Sequence, residues 1–163
     1  MLGQIMILGG VLVLAAVTIP VVVILGMRAR SPLAVDVVRR FSRLFRPFQM
    51  RTAGRPGAYA AVIRHTGRRS GRTYETPVGA VATDDGFVIA LPYGSRAHWV
   101  RNVLVSGTAV IVMDGRESQV AQPELIPLES VAARFSPGDQ RGHRMFGVRE
   151  CLRVSRVTAQ QAA

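Results

Sequence analysis

The sequence predicts a mainly β domain, a compact antiparallel barrel with short helices, preceded by an N-terminal transmembrane helix. Short apolar segments from Tyr59 onward are separated by turns bearing glycine, proline or aspartate. They are joined mainly as hairpins, without the long crossover helices that a doubly wound sheet needs. Ahead of them, Ile5 to Met27 runs for 23 residues without a charge. At about 1.5 Å per residue such a helix spans about 35 Å, enough to cross a hydrocarbon layer roughly 30 Å thick.

The charge behind that run suggests a topology. The chain has 163 residues, 21 basic and 10 acidic, with a formal charge of +11; every basic residue is arginine. Residues 28 to 72 hold twelve arginines against Asp36, so the whole excess lies there, while residues 73 to 163 are neutral. Arg28, Arg30, Arg39, Arg40, Arg43 and Arg46 follow the apolar run and no positive residue precedes it. The positive-inside rule then predicts a retained single-pass anchor in the cell membrane with its C-terminal domain cytoplasmic. A cleaved signal peptide, which usually begins with positive charge, and a buried terminal helix are the competing readings. The clustering of charge argues against a uniformly basic nucleic-acid-binding protein.

The elements follow in order. Leu33, Val37, Phe41, Leu44 and Phe48 recur at helical spacing with arginines on the flanks. Such a helix can lie against anionic lipid headgroups or pack on the following domain; Pro47 is expected to end or bend it. Gly54 to Gly57 reads as a linker. Strands are predicted over Tyr59 to Arg64, Thr73 to Ala82 and Phe87 to Leu91, with a turn at Asp84-Asp85-Gly86. A helix is predicted over Arg96 to Ser106, then strands over Thr108 to Met113 and Glu117 to Ala121. Pro127 to Phe135 and Asp139 to Phe146 read as helices or turns, and Cys151 to Val157 as a closing strand.

Two stretches carry candidate chemistry. In His65-Thr66-Gly67-Arg68-Arg69-Ser70-Gly71-Arg72, glycines permit a tight path and arginines supply forked donors suited to phosphate or carboxylate. The same stretch reads alternatively as a basic hairpin facing headgroups or as a nucleic-acid contact. In Leu91 to Asn102 a strand ends in a turn before a helix, where free amides can bind an anion. Tyr93 and Trp99 offer an aromatic wall there. His98 is a candidate proton donor, though a structural histidine is the commoner case. His65, His98 and His143 are far apart and no cysteine cluster exists, so no metal site is expected. Cys151 is expected in the core, and no Ser-His-Asp or paired-carboxylate arrangement is visible.

Together the stretches HTGRRSGRTYETPVG and LPYGSRAHWVRNVLVSG resemble the two signatures of the deazaflavin-dependent nitroreductase family, over roughly Tyr59 to Val157. The resemblance implies a split β-barrel related to FMN-binding barrels, and coenzyme F420 as cofactor, with FMN as the alternative. By that resemblance Arg68, Arg69, Ser70 and Gly71 line the phosphate and acidic-tail region, and Thr76 and Pro77 lie along the cofactor. Tyr93, Gly94 and Ser95 fall near the deazaflavin ring, and Trp99 and Asn102 match the second signature. No catalytic residue is assigned. The implied function is a membrane-anchored oxidoreductase transferring hydride from reduced F420 to a lipophilic acceptor such as a quinone. The alternative is a non-catalytic cofactor- or lipid-binding member of the fold. Partners implied are a bilayer with anionic headgroups and a small-molecule acceptor, with a homodimer compatible and no nucleic acid. His98 and Val100 depart from the proline and tyrosine found in the better-known members, and no tyrosine follows Tyr93. The expected organisation is an anchor (1–27), a basic amphipathic helix and linker (28–57), a barrel domain (58–157) and a tail (158–163).

Overall fold

The computed structural model describes residue 18, residues 20–29 and residues 31–157. A helix α1 (Pro32–Met50) precedes strands β1 (Ala61–Thr66), β2 (Thr73–Val78), β3 (Ala80–Ala82) and β4 (Gly86–Ala90). Helix α2 (His98–Ser106) then leads to β5 (Thr108–Met113) and β6 (Arg116–Pro127). Two 3-10 turns (Leu128–Ser130 and Ala132–Arg134), helix α3 (Pro137–Phe146) and β7 (Glu150–Arg156) complete the chain.

All strand pairs are antiparallel, in the order β2-β1-β5-β6-β7-β4-β3. β2 and β3 are the two edges of this sheet, yet only Gly79 separates them in sequence. The sheet must therefore curl until its edges meet at that corner, which makes the single strand expected over Thr73 to Ala82 into two. The second bend lies in β6. Its first half pairs with β5 and its second with β7, and the register shifts between Ala121 and Glu124. Gln122 there has φ 54°, a left-handed conformation, and such a bulge bends its strand. β6 consequently runs six residues past the predicted end at Ala121.

The concave side is filled by alternating strand residues and one helix. Ile63, Ile89, Ile111 and Leu152 are fully buried, and Val100 and Val103 of α2 join them in one cluster. Across the sheet a smaller cluster holds Val88, Phe135 and Cys151. Burial pushes the Cys151 thiol up to about 12, so it is a core residue and not a nucleophile. Tyr59 lies just before β1, not within it. Its hydroxyl donates to the Asp139 carboxylate, which also accepts from the hydroxyl of Ser136, the residue that caps α3 by accepting from the Asp139 amide. That hydrogen bond is the main reason the phenol is pushed up to about 12, with burial and the Asp139 charge adding to it. Replacing Tyr59 by Phe is expected to lower stability by about 1 kcal/mol in chemical denaturation at neutral pH. The difference should vanish as the pH rises through the folded phenol's pKa.

The expected membrane anchor is corrected here. Most of the apolar run from Ile5 to Met27 lies outside the described residues. Among the described residues no helix is long and apolar enough to cross a membrane. The described end of the run, helical over 20–28, turns back onto the barrel domain. Met27 is buried at 4% exposure, and the Arg28 guanidinium donates to the Arg144 carbonyl at 2.9 Å. α1 carries Asp36 and four arginines, a composition too costly for a hydrocarbon interior. The transmembrane helix, the single-pass cell-membrane localisation with a cytoplasmic domain, the membrane-anchored function and the bilayer as partner are therefore not supported. Pro47 does not end α1, which continues to Met50. Of its apolar stripe, Leu33, Val37, Leu44 and Phe48 are exposed and do not pack on the barrel.

Candidate functional site

The two sequence stretches meet at one end of the curled sheet. Alternation along β1 puts Ala61, Ile63 and His65 on the inward face, with His65 the last of them and buried. Antiparallel register sets Tyr74 opposite His65 and Thr76 opposite Ile63. The turn between the strands is closed by hydrogen bonds from Gly67 to the Arg72 carbonyl and from Gly71 to the Gly67 carbonyl, both 2.8 Å. Gly71 has φ 65°, which favours glycine. A side chain at Gly67 would collide with the Tyr74 ring, 2.5 Å away. The Tyr74 hydroxyl pairs with Ser70 Oγ at 3.1 Å.

α2 brings the second stretch against the first. Trp99 and Asn102 are one helical turn apart and so share a side of the helix. Asn102 is buried and joins the two motifs. Its Oδ1 accepts from the Arg68 guanidinium at 2.8 Å and from the Arg68 amide at 3.3 Å, and its Nδ2 lies 3.2 Å from His65 Nδ1. Arg68 also donates to the His98 carbonyl at 3.4 Å. Burial, with the nearby positive charge of Arg46, pushes the His65 imidazole down to about 4, so it is neutral at physiological pH.

Between them lies a cavity of about 640 Å³. Among the residues expected from sequence, Arg68, Arg69, Ser70, Thr76 and Pro77 line it from the sheet side, and Tyr93, Trp99 and Asn102 from the helix side. Gly71 shapes the turn and does not line the cavity. Gly94 and Ser95 line a neighbouring cavity of about 510 Å³, where the Ser95 amide donates to the Glu150 carboxylate at 3.2 Å. Tyr93 borders both. Arg46, Gln49, His65, Gly67, Tyr74, Ala97 and His98 also line the main cavity and were not among the expected binding residues. His65 could have been assigned from the period-two pattern of β1. Arg46 and Gln49 could not, because the docking of α1 has no local sequence signal.

Among the described residues the lining contains no carboxylate. Three arginines and two histidines edge a floor of Trp99, Tyr93, Tyr74 and Pro77. Such a cavity suits a planar aromatic ligand carrying anionic groups: the rings supply stacking surface and the guanidinium groups pair with phosphate or carboxylate. Its size lies in the usual range for small-molecule and cofactor sites. Among the described residues no group of three His, Cys, Asp or Glu side chains is placed to hold a metal ion.

Comparison with known proteins places this geometry in a family. No curated protein matches the chain. Among solved structures, a protein of unknown function from Agrobacterium tumefaciens is similar at 12% identity and TM-score 0.43, over 63% of this chain and 54% of that one. The chain thus spans about half the length of that protein. HutZ, a heme storage protein from Vibrio cholerae, is similar at 11% identity and TM-score 0.42, over 62% of this chain and 83% of that one. Residues 37–137, more than half of the chain, match a family described as F420H(2)-dependent quinone reductase. That span includes α1 from Val37, both motifs and every described residue lining the main cavity, and the chain belongs to this family.

Proposed function

We propose that the main cavity binds coenzyme F420 and that the chain acts as an F420-dependent reductase. The observation that carries this reading is the pairing of a carboxylate-free, arginine-edged cavity with aromatic walls, inside the span that matches the family. A phosphorylated, acidic-tailed deazaflavin has both the flat ring and the negative charge that such a cavity accommodates. When bound it supplies the hydride; the protein's part is to hold, orient and shield it. Trp99, Tyr93 and Pro77 offer apolar surface to the ring. Arg69, exposed on the turn, is the arginine to pair with phosphate or the acidic tail. Arg68 is engaged by Asn102, so its role is to fix the turn as well as to add positive charge.

Titration of the purified chain with oxidised F420 tests binding, and saturable binding in the micromolar range is expected. Arg69→Ala should weaken it about tenfold, the loss of one charge-assisted contact. No saturable binding would overturn the proposal, and an FMN spectrum on the purified protein would redirect it to the flavin.

A second reading is a non-catalytic coenzyme-binding member of the fold. One observation favours it: among the described residues no carboxyl group lines the cavity, and both ring nitrogens of His65 are engaged, so neither supplies a ready acid. The family description names quinones, so a soluble quinone with reduced F420 separates the two readings. Turnover supports the reductase; binding without turnover supports the carrier.

A further inference from the structure

Four side chains form a continuous line of hydrogen bonds from the glycine turn to the cavity wall, and the chemistry at one end fixes its direction. Asn102 Oδ1 faces the Arg68 guanidinium at 2.8 Å and the Arg68 amide at 3.3 Å. Both groups donate only, so the carboxamide has a single satisfactory orientation. Its NH₂ must then face His65 Nδ1, 3.2 Å away, which makes Nδ1 the acceptor. A neutral imidazole accepting at Nδ1 carries its proton on Nε2. That proton points to Thr76 Oγ1 at 3.3 Å. Thr76 therefore accepts from His65 and keeps its own hydroxyl proton to donate. Among the described residues no protein acceptor takes that proton, and Thr76 is half-buried in the cavity wall.

We propose that Arg68, Asn102 and His65 are positioning residues whose one-way relay makes the Thr76 hydroxyl a fixed donor into the cavity, selecting a ligand that presents a carbonyl oxygen or an unprotonated ring nitrogen at that wall. The choice of ligand rests on the functional reading above; the direction of the relay does not. Each interior member makes the next one's polarity compulsory. A wrong polarity anywhere would set two donors or two acceptors face to face in a buried site, which is costly. Burial and Arg46 help by keeping the imidazole neutral, since a protonated ring would set Nδ1–H against the Asn102 NH₂.

Asn102→Asp reverses the relay without touching Thr76. The new carboxylate keeps an oxygen toward Arg68 but presents its other oxygen to His65, drawing a proton onto Nδ1. If the ring stays neutral, Nε2 becomes an acceptor and the Thr76 proton turns toward it, away from the cavity.

The test has a ligand-free arm and a binding arm. In ligand-free wild-type protein, ¹⁵N NMR of the His65 imidazole, assigned with His65→Gln, should show the neutral Nε2–H tautomer at neutral pH. Asn102→Asp should move the proton to Nδ1 of a ring that stays neutral. In titrations with oxidised F420, Thr76→Val and Asn102→Asp should each weaken binding by about tenfold, while Thr76→Ser stays within about twofold of wild type. The double variant should bind no more weakly than Thr76→Val, because both changes remove the same donor. An Nδ1–H or charged ring in the wild type overturns the relay. So does unchanged affinity in Thr76→Val, or effects of the two substitutions that add. A wild type that binds no F420 overturns the functional reading and the ligand assigned to Thr76, and the tautomer still decides the relay.

Discussion

Gly86→Ala is expected to destabilise the fold by about 3 kcal/mol or more, beyond the usual range for adding a methyl group to a packed site. The reason is close backbone approach and not a special φ. Gly86 begins β4, where it pairs with Ser155 of β7. A Cβ there would lie 1.9 Å from the Val154 carbonyl oxygen and 2.8 Å from the Ser155 Cα. Neither is the movable end of a side chain, so the two strands must separate. The Arg156 amide donates to the Asp85 carbonyl at 2.7 Å beside the contact, and the Arg156 guanidinium lies over the Phe87 ring at 4.6 Å. Separation would disturb both. β4 leads directly into the turn that carries Tyr93, so the damage should reach the cavity rim. Gly79→Ala is the control. Nothing lies within 4 Å of a Cβ at that corner, and a change below about 0.5 kcal/mol is expected. Urea denaturation of the three proteins decides it: a loss under about 1 kcal/mol for Gly86→Ala would show that the strands have slack there.

What could be read from the sequence was local. Thr108 to Met113 is a short apolar, β-branched run ahead of a turn, and it forms β5 over those residues. The helical spacing of Trp99 and Val103 predicts a helix over Arg96 to Ser106, and α2 forms over His98 to Ser106. The glycine turn between β1 and β2 was marked by its composition. What escaped depends on contacts distant in sequence. Thr73 to Ala82 carries one continuous strand pattern, and only the closure of the sheet shows that Gly79 turns it from one edge to the other. Gln122 carries no bulge signal, because the bend serves two partners far away in sequence. The apolar run ending at Met27 has the length of a membrane span, but hydropathy alone does not distinguish a lipid neighbour from a protein one. Met27 and Arg28 meet the barrel domain instead. The site divides the same way. The two motifs were visible separately, whereas the Asn102 link to His65 joins residues 37 apart and follows from the packing of α2 on β1.

The stability of this protein is expected to fall between about pH 6.5 and pH 4, because the folded state refuses a proton there that the unfolded chain accepts. His65 has its folded pKa pushed down to about 4 by burial, with the positive charge of Arg46 adding to it. The groups facing it reinforce this. Asn102 presents an NH₂ to Nδ1, Arg68 stands behind Asn102, and the Tyr74 ring stacks at 6.0 Å. None offers a negative charge to an imidazolium. Above the unfolded pKa the ring is neutral in both states and stability is full. As the pH falls toward 4, only the unfolded chain gains the proton, at about 1.4 kcal/mol per pH unit. Allowing for solvent entering through the cavity, His65 should contribute a loss of about 2 kcal/mol. His143 acts in the same direction: burial lowers its pKa, against the opposing charge of Asp139. Asp85 and Asp139 are also held below the ordinary carboxylate value of 3.8, so their stabilisation is lost at still lower pH, outside this window. His65→Gln isolates the term, since its amide can accept from Asn102 and donate to Thr76 without titrating. In urea denaturation at about pH 7 and pH 4.5, the variant should lose less stability than the wild type, by roughly 2 kcal/mol. Equal losses in the two proteins would mean that His65 takes up its proton in the folded state as readily as in the unfolded one, and that the polar line from Arg68 to Thr76 does not hold it neutral.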